Sequence, residues 1–417
     1  MFRNSPDDSS PIRLPGERRR CPLFRKAFYP LIIAGTGATL LLAPDAAVLA
    51  QASRGYPMVA LAAVAFIAWR LRRSRIIMAA LSLILAHAAV QSSAFGSDVL
   101  AFALIATFVP PGLALLSLTR DRPLFAPGTL TQAAAVFGPV LVAGFIAFSQ
   151  PPEVLSILTQ PMDPETTEAW FGLPDAAIIT GAATLGILAF IALRSRRPVE
   201  SALAWMTLAM LLALAAPADS VARGVWVLAG ALVLAVGLVE ASYVLAFHDE
   251  LTGLPGRRAL SEAISALRPP YSIAIIDIDH FKQFNDKHGH DVGDQVLCMV
   301  ASKLAEVGGG GTAYRSGGEE FTIVFPGLEK AEARPHLEAV REAVASSTFT
   351  VRRKPRPSKK KGIARRGKST PRQQQLAVTI SVGVASPGRS SKEVADVVKA
   401  ADKAMYRAKE SGRNQVA

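Results

Sequence analysis

Cysteine is nearly missing from this 417-residue chain, which has only Cys21 and Cys298. So isolated a pair builds neither a CxxC motif nor a disulfide framework. Cys298 falls on an apolar helical pattern and reads as core, and Cys21 reads as incidental rather than lipidated. Acidic residues are scarce as well: 33 Asp and Glu against 46 Lys and Arg leave a formal net charge of +13. The imbalance is local, since residues 351–375 hold eleven Lys or Arg and no acid, whereas Gln150 to Asp175 has five acids and no base. Two further absences bear on function. The apolar segments show no clear internal repeat and no convincing set of charges, which argues against a transporter. No sustained heptad pattern precedes Asp249, so no coiled coil is expected there.

Hydrophobic residues make up 50% of the chain, and they crowd into the first 246 residues. Eight apolar segments stand at about 28–49, 57–70, 76–95, 98–118, 129–149, 176–193, 201–216 and 224–246, several of them long enough to cross a bilayer of ~30 Å. The second and seventh are short, which leaves the count open by one pair. The pattern predicts an all-α transmembrane bundle of about eight helices over 27–247, a sensory and anchoring domain. A basic, disordered cytoplasmic tail over 1–26 precedes it. Arg70, Arg72, Arg73 and Arg75 share one connection, Arg120 and Arg122 another, Arg194, Arg196 and Arg197 a third. Alternate connections carry only Arg54 and Arg223. By the positive-inside rule the arginine-rich loops and both termini are cytoplasmic. A rival reading takes 1–50 as a signal peptide cleaved after Ala47-Val48-Leu49-Ala50; it leaves the C-terminal part cytoplasmic too.

Three features of the apolar half admit a functional and a bland reading. The outside loop Gln150 to Asp175, with Trp170-Phe171, is a sensing loop or a connector with interfacial aromatics. Pro110-Pro111 breaks the fourth segment, to line a pocket or as a tolerated kink. His87 lacks a second intramembrane histidine to share a metal, and reads as packed or water-facing.

The C-terminal part carries the chemistry. Arg315-Ser316-Gly317-Gly318-Glu319-Glu320-Phe321 reads as the tip of a β-hairpin, between strand Thr312–Arg315 and a β-branched, aromatic run closed by Pro326-Gly327. The two glycines let a large ligand approach the backbone, and Glu319 and Glu320 are expected on opposite faces of the strand. An ordinary Gly-Gly turn with an acidic tip is the plain alternative. Ser272 to Asp279 is a buried-strand run ending in Asp277 and Asp279, and the helix opening at His280 offers free N–H groups to phosphate. Together these features point to a Mg²⁺-nucleotide site.

At this point the segment from about Ala246 to Ala417 resembles a GGDEF domain, the catalytic unit of diguanylate cyclases. The resemblance runs through Asp249-Glu-Leu-Thr252-Gly-Leu254-Pro255, Asp277-Ile278-Asp279-His280-Phe281-Lys282, Asn285-Asp286, Gly289-His290-Asp291-Val292-Gly293-Asp294 and the hairpin. It continues in Thr379-Ile-Ser381-Val-Gly383 and Asp402 to Asn414. It implies an α/β domain over 248–417 with a palm-like central sheet flanked by helices. The sequence pattern agrees, with a strand at 272–278, a helix at 281–306, the hairpin at 312–326, a helix at 329–346, strands at 348–353 and 376–385 and a helix at 390–411.

The resemblance further implies condensation of two GTP into cyclic di-GMP and two pyrophosphates by a homodimer, regulated by the membrane domain at the bacterial inner membrane. Carried over by position, Asp277, the Ile278 carbonyl and Glu319 would hold Mg²⁺, or Mn²⁺ in its stead, and Glu320 would be the base or a second metal ligand. Backbone N–H groups of His280, Phe281 and Lys282 would cradle phosphates. Asn285 and Asp294 would read guanine, with His290 near base or ribose. Lys409 and Arg413, four apart on one helical face, would bind phosphate. A catalytically silent GTP-binding or scaffold module is the alternative.

Three departures from the family pattern stand out. Gly256 replaces the usual Asn before Arg257-Arg258. Gly308 and Gly311 occupy the Arg and Asp positions of an inhibitory product site, so no product inhibition through that site is expected. The basic insertion 351–375, rich in proline and expected to be disordered, would rest on anionic lipid, bind nucleic acid non-specifically or serve as a solubilising loop, with the lipid reading preferred over nucleic acid; no specific nucleic acid is implied.

Overall fold

The computed structural model describes residues 22–42, 47–91, 99–122, 126, 128–149, 151–159, 173–195, 197–216, 220–347, 349–350, 375–388 and 393–417. Residues 1–21 of the expected tail, Cys21, Trp170-Phe171 and nearly all of the basic insertion 351–375 lie outside them. The chain divides into two compact units, Cys21–Tyr243 and one containing Val244–Ala417.

The first unit is helical: α1 Pro22–Leu42, α2 Ala47–Arg70, α3 Ser74–Gln91, α4 Val99–Ser117, α5 Thr129–Ser149, α6 Pro152–Thr159, α7 Asp175–Ser195, α8 Pro198–Ala215 and α9 Val221–Phe247. Among the described residues four of these, α5, α7, α8 and α9, are long and apolar enough to cross a membrane. α1 to α4 contain shorter apolar runs, so eight spans are more than the described helices establish. Leu141, Phe145 and Phe148 on α5, and Ile179, Phe190 and Leu193 on α7, are exposed. Helices that are apolar on their outer faces need a surrounding of lipid or protein.

Four expectations change here. The tail does not reach residue 26, because α1 already begins at Pro22. The short second segment belongs to a 24-residue helix that begins ten residues before Pro57, since alanines and Leu49 extend the helical run. Part of the presumed outside loop is the helix α6, where Pro152 and Glu153 make a favourable first turn. α4 continues through Pro110-Pro111 without a break.

Small residues let these helices pack. Gly237 of α9 lies where a methyl group would collide with Ala202 of α8, and Gly112 of α4 rests 2.9 Å, measured to its hypothetical Cβ, from the Ala135 carbonyl of α5. The arginines used for orientation converge on two acids. Arg75 pairs with Glu200 at 3.0 Å and Asp121 at 3.4 Å, Arg73 pairs with Asp121 at 3.5 Å, and Arg73 Nη2 donates to the Ala241 carbonyl of α9 at 2.9 Å. Arg75 and Glu200 are both buried. Burial strengthens the attraction but adds a desolvation cost, so the intact pair contributes little net stability, while removing one partner would strand the other charge.

The second unit is built on a four-stranded antiparallel sheet of order β2-β3-β1-β6, with β1 Tyr271–Ile278, β2 Thr312–Arg315, β3 Glu320–Pro326 and β6 Ile380–Ala385. β4 Phe349–Thr350 and β5 Gln375–Leu376 form a separate two-stranded ribbon, so the expected strand 376–385 is split. Helices α10 Arg257–Ser265, α11 Phe281–His288, α12 His290–Leu304, α13 Lys330–Ala345 and α14 Val394–Glu410 surround the sheet. One face, carrying Ala274, Ile276, Phe321, Ile323 and Val382, packs on Val296, Leu297 and Val300 of α12 and Ala333 and Leu337 of α13. The other carries Ile273 and packs on Val397 and Ala401 of α14, while Val324 on that face meets Leu260 of α10.

The helix expected over 281–306 is two helices. Gly289 has φ +89, outside the helical region and accessible without strain only to glycine, and its N–H closes α11 on the Asn285 carbonyl.

Candidate active site

β1 and its neighbours bring the acids together. The register sets Asp277 opposite Glu320 on β3 and opposite Ser381 on β6, so all three share one face of the sheet. α14 lies on that face, and Gly383 decides how closely: a Cβ there would collide with the backbone of Ala401 and Met405. One turn beyond Met405, Lys409 Nζ reaches Asp277 Oδ1 at 2.8 Å, with Asp277 buried.

The Gly317-Gly318-Glu319 bend precedes β3, which starts at Glu320. The two glutamates therefore do not alternate along one strand as expected; Glu319 is half-buried in the bend and Glu320 exposed at the strand's first position. Burial, then the negative charge of Asp277, holds the Glu319 carboxyl above its ordinary range; Lys409 opposes this and Glu320 adds to it. The bend is gripped by Arg315, whose Nη2 donates to the Gly318 carbonyl at 2.6 Å and Nε to the Gly317 carbonyl at 3.2 Å. Arg315 Nη1 pairs with Asp249 at 2.8 Å. Asp249 Oδ1 also accepts from the Thr252 N–H at 2.8 Å and hydroxyl at 2.6 Å. Burial pushes the Asp249 carboxyl up, and the hydrogen bonds from Thr252 and Arg315 outweigh it, leaving it below the ordinary value.

At the end of β1 the chain turns through His280, which is left-handed (φ 58, ψ 24) and caps α11. His280 and Lys282 are exposed, and Phe281 is a core side chain; the first-turn N–H groups at 280–282 lack the acceptors an interior turn would supply. The break at Gly289 folds α12 back on α11. Asn285 thereby sits against Gly293, next to exposed Asp294, and its Oδ1 is buried without a hydrogen-bond partner among the described residues. His290 is exposed on the first turn of α12.

Arg413 does not continue the helical face of Lys409. α14 ends at Glu410, and Gly412, Arg413 and Asn414 take φ +105, +64 and +45, a hook that reverses the chain toward the Gln415–Ala417 contacts with β6. Gly308 and Gly311 stand in a turn where His336 lies against Gly308 and Phe325 against Gly311.

Among the described residues no three His, Cys, Asp or Glu side chains meet closely enough to form a metal centre alone. The donor set still suits a Mg²⁺-nucleotide. Mg²⁺ takes one or two carboxylates and fills its shell with phosphate oxygens and water, and the mutual repulsion of Glu319, Asp277 and Glu320 is what a divalent cation would relieve. Two groups escaped the sequence reading of the site. Arg315 and Asp249 stood inside recognisable motifs, and the Asp-x-x-Thr spacing signals a side-chain-capped turn, but nothing in the sequence paired them.

Comparison with known proteins adds an independent finding. The profile described as "Diguanylate cyclase, GGDEF domain" matches residues 246–365 and 358–415. The response regulator PleD of Caulobacter vibrioides is 36% identical over 186 residues, covering 43% of this chain and 37% of PleD. Diguanylate cyclase DgcP of Pseudomonas aeruginosa is 35% identical over 180 residues, 41% of this chain and 24% of DgcP. The chain therefore spans well under half the length of either relative. The crystal structure of the GGDEF domain of DgcB from Caulobacter crescentus in complex with c-di-GMP is 33% identical and covers 41% of this chain and 92% of that one, with a TM-score of 0.34.

Proposed function

The C-terminal part of this chain, residues 246–415, belongs to the GGDEF family, and from that premise we propose that the protein is a membrane-anchored diguanylate cyclase. It joins two GTP into cyclic di-GMP with release of two pyrophosphates, as a homodimer in which each C-terminal unit presents one GTP to the other. The observation that carries the reading is the meeting of Asp277, Glu320 and Lys409 on one face of the sheet, beside the half-buried Glu319.

Asp277, the Ile278 carbonyl and Glu319 would hold Mg²⁺, with Mn²⁺ as a substitute. When bound, the metal lowers the pKa of the attacking 3′-hydroxyl and offsets charge on the α-phosphate. Glu320, exposed at the open end of β3, accepts the hydroxyl proton or adds a metal ligand. The N–H groups of His280, Phe281 and Lys282 would orient phosphate oxygens, and Lys409, which pairs with Asp277 at 2.8 Å, would bind phosphate together with Arg413. Asn285 and Asp294 meet the guanine edge: a carboxylate accepts from N1–H and the exocyclic amine, a pattern adenine lacks. His290 borders the base or ribose.

In this reading the protein is a multi-pass protein of the bacterial inner membrane, with the catalytic part in the cytoplasm and under the control of the helical unit; the four helices long and apolar enough to cross a membrane support it. With Gly308 and Gly311 in place of charged groups, cyclic di-GMP does not inhibit through that turn; a sub-micromolar product effect on turnover would contradict this.

The test is pyrophosphate release by the full-length protein in lipid nanodiscs with Mg²⁺ and GTP, beside Glu320→Gln. Release by the native protein and not by the variant supports the cyclase. GTP binding with no release from either, under all conditions that load the site, would mark the chain as a silent GTP-binding module.

A further inference from the structure

Asp279 lies two residues beyond Asp277 at the same strand end, and it is 7% exposed. Both oxygens of its carboxylate are engaged by protein donors. Thr379 Oγ1 donates to Oδ2 at 2.6 Å, Ser381 Oγ to Oδ1 at 2.6 Å, and the Asn414 N–H to Oδ2 at 3.1 Å. Its own N–H donates to the Thr379 carbonyl at 2.9 Å. Three of the about four lone-pair sites of this carboxylate are thus taken by protein donors, whereas Asp277 meets Lys409.

The third of those bonds goes to an improbable stretch of backbone. Gly412 takes its left-handed conformation freely, but Arg413 and Asn414 are not glycine, and two consecutive residues with φ +64 and +45 each cost of order 1 kcal/mol or more. Such a conformation persists only where its surroundings over-determine it. Here Asp279 holds the Asn414 N–H, Arg341 Nη1 of α13 donates to Asn414 Oδ1 at 3.0 Å, the Arg413 N–H donates to the Ala408 carbonyl at 2.9 Å, and Gln415 Nε2 reaches the same carbonyl at 2.8 Å. Arg341 is itself steadied by Glu338 at 2.7 Å. Buried and charged groups are thus committed to the shape of three residues whose middle member is Arg413.

We infer that Asp279 is a positioning residue: its carboxylate, with Arg341 as second anchor, holds the left-handed Gly412–Asn414 hook so that Arg413 is set for the phosphates gathered at the His280–Lys282 turn. The inference rests on the cyclase reading of the site. Asp279 is the residue immediately before that turn, so one side chain ties both phosphate-binding elements to the strand end that carries Asp277. Asp279→Asn keeps the size but turns an acceptor oxygen into a donor facing hydroxyl and N–H donors. The hook is released while the sheet pairing of Asp277 remains.

The experiment is a double-mutant cycle in the full-length protein in nanodiscs. Steady-state GTP kinetics are measured for native protein, Asp279→Asn, Arg413→Ala and the double variant. Asp279→Asn should raise KM for GTP by roughly 10- to 100-fold with a much smaller change in kcat, as for groups that orient a ligand-binding residue. In the Arg413→Ala background it should change KM by less than about 2-fold, because the residue it positions is gone. Equal losses in both backgrounds would overturn the inference and leave Asp279 a general support of the sheet. If Asp279→Asn does not fold, Arg341→Gln replaces it in the same cycle, with non-additivity and additivity read the same way. Absence of turnover in the native protein would instead refute the cyclase reading, and this inference with it.

Discussion

Replacing Gly383 by alanine tests whether the seat of α14 on β6 governs both stability and the site. The added Cβ would lie 2.6 Å from Met405 Cα and closer still to the Met405 N and Ala401 O atoms, whereas carbon atoms rest at about 3.5–4.0 Å. Backbone atoms cannot swing aside as a side chain would, so α14 must withdraw by roughly 1 Å. Overpacking of this kind costs about 1–3 kcal/mol. For a unit of this size each kcal/mol lowers Tm by roughly 2–4 °C, which gives a fall of about 2–12 °C. The same withdrawal opens the 2.8 Å Lys409–Asp277 pair and displaces Lys409 from the site, at a cost of up to about 100-fold in turnover. The assay is a thermal scan of the native and Gly383→Ala proteins in nanodiscs, with pyrophosphate release measured on the same samples. Gly318→Ala is the comparison, because a Cβ at Gly318 meets nothing within 4 Å and should leave Tm unchanged. A Gly383→Ala protein with native Tm and native turnover would refute the idea that this contact sets the helix.

Glu319→Gln should stabilise the metal-free protein slightly near neutral pH, by under ~1 kcal/mol after solvent screening, while abolishing turnover. The sign follows from linkage: a carboxyl whose folded pKa is raised favours folding fully below its unfolded pKa and loses that contribution as pH rises through the folded value. Thermal scans between pH 4 and 8 in chelator read it, and a destabilised variant at pH 7 would contradict it. Asp249→Asn should lower stability by about 1–2 kcal/mol through the loss of a charge-assisted bond to Arg315. Because the folded pKa of Asp249 is depressed, that contribution is present above its unfolded pKa and disappears as pH falls through the folded one; equal stability of variant and native protein at pH 7 would count against it. Glu200→Ala leaves the Arg75 guanidinium buried with only its longer contact to Asp121, and should cost roughly 3 kcal/mol, measured as a lowered melting temperature of the helical unit; no change would mean the pair is open to water.

The local layout of the candidate site, acids at the end of β1 beside a Gly-Gly hairpin, could be read from the chain because its signals are local. Two glycines before two acids, and acids at the end of an apolar strand, signal their surroundings within a few residues. What stayed hidden depends on contacts between residues far apart in sequence. Asp249 meets Arg315 across 66 positions and Asp279 meets Asn414 across 135, and no periodicity couples such pairs. The split of the long helix at Gly289 was missed because hydrophobic spacing continues across the glycine, and the hook at Gly412–Asn414 because a basic residue four beyond Lys409 mimics one more helical turn. In the helical unit hydropathy located the segments but not their ends: α2 begins well before its apolar run, and α6 is a short apolar helix inside a segment whose acids and prolines suggested a loop.

The most direct measurement of the central claim is the identity of the product formed by full-length protein in nanodiscs supplied with Mg²⁺ and GTP, separated by chromatography and weighed by mass spectrometry. Cyclic di-GMP accompanied by two pyrophosphates per molecule is expected from the native protein, and none from Glu320→Gln. GDP and free phosphate, or a product equally abundant in the variant, would contradict it.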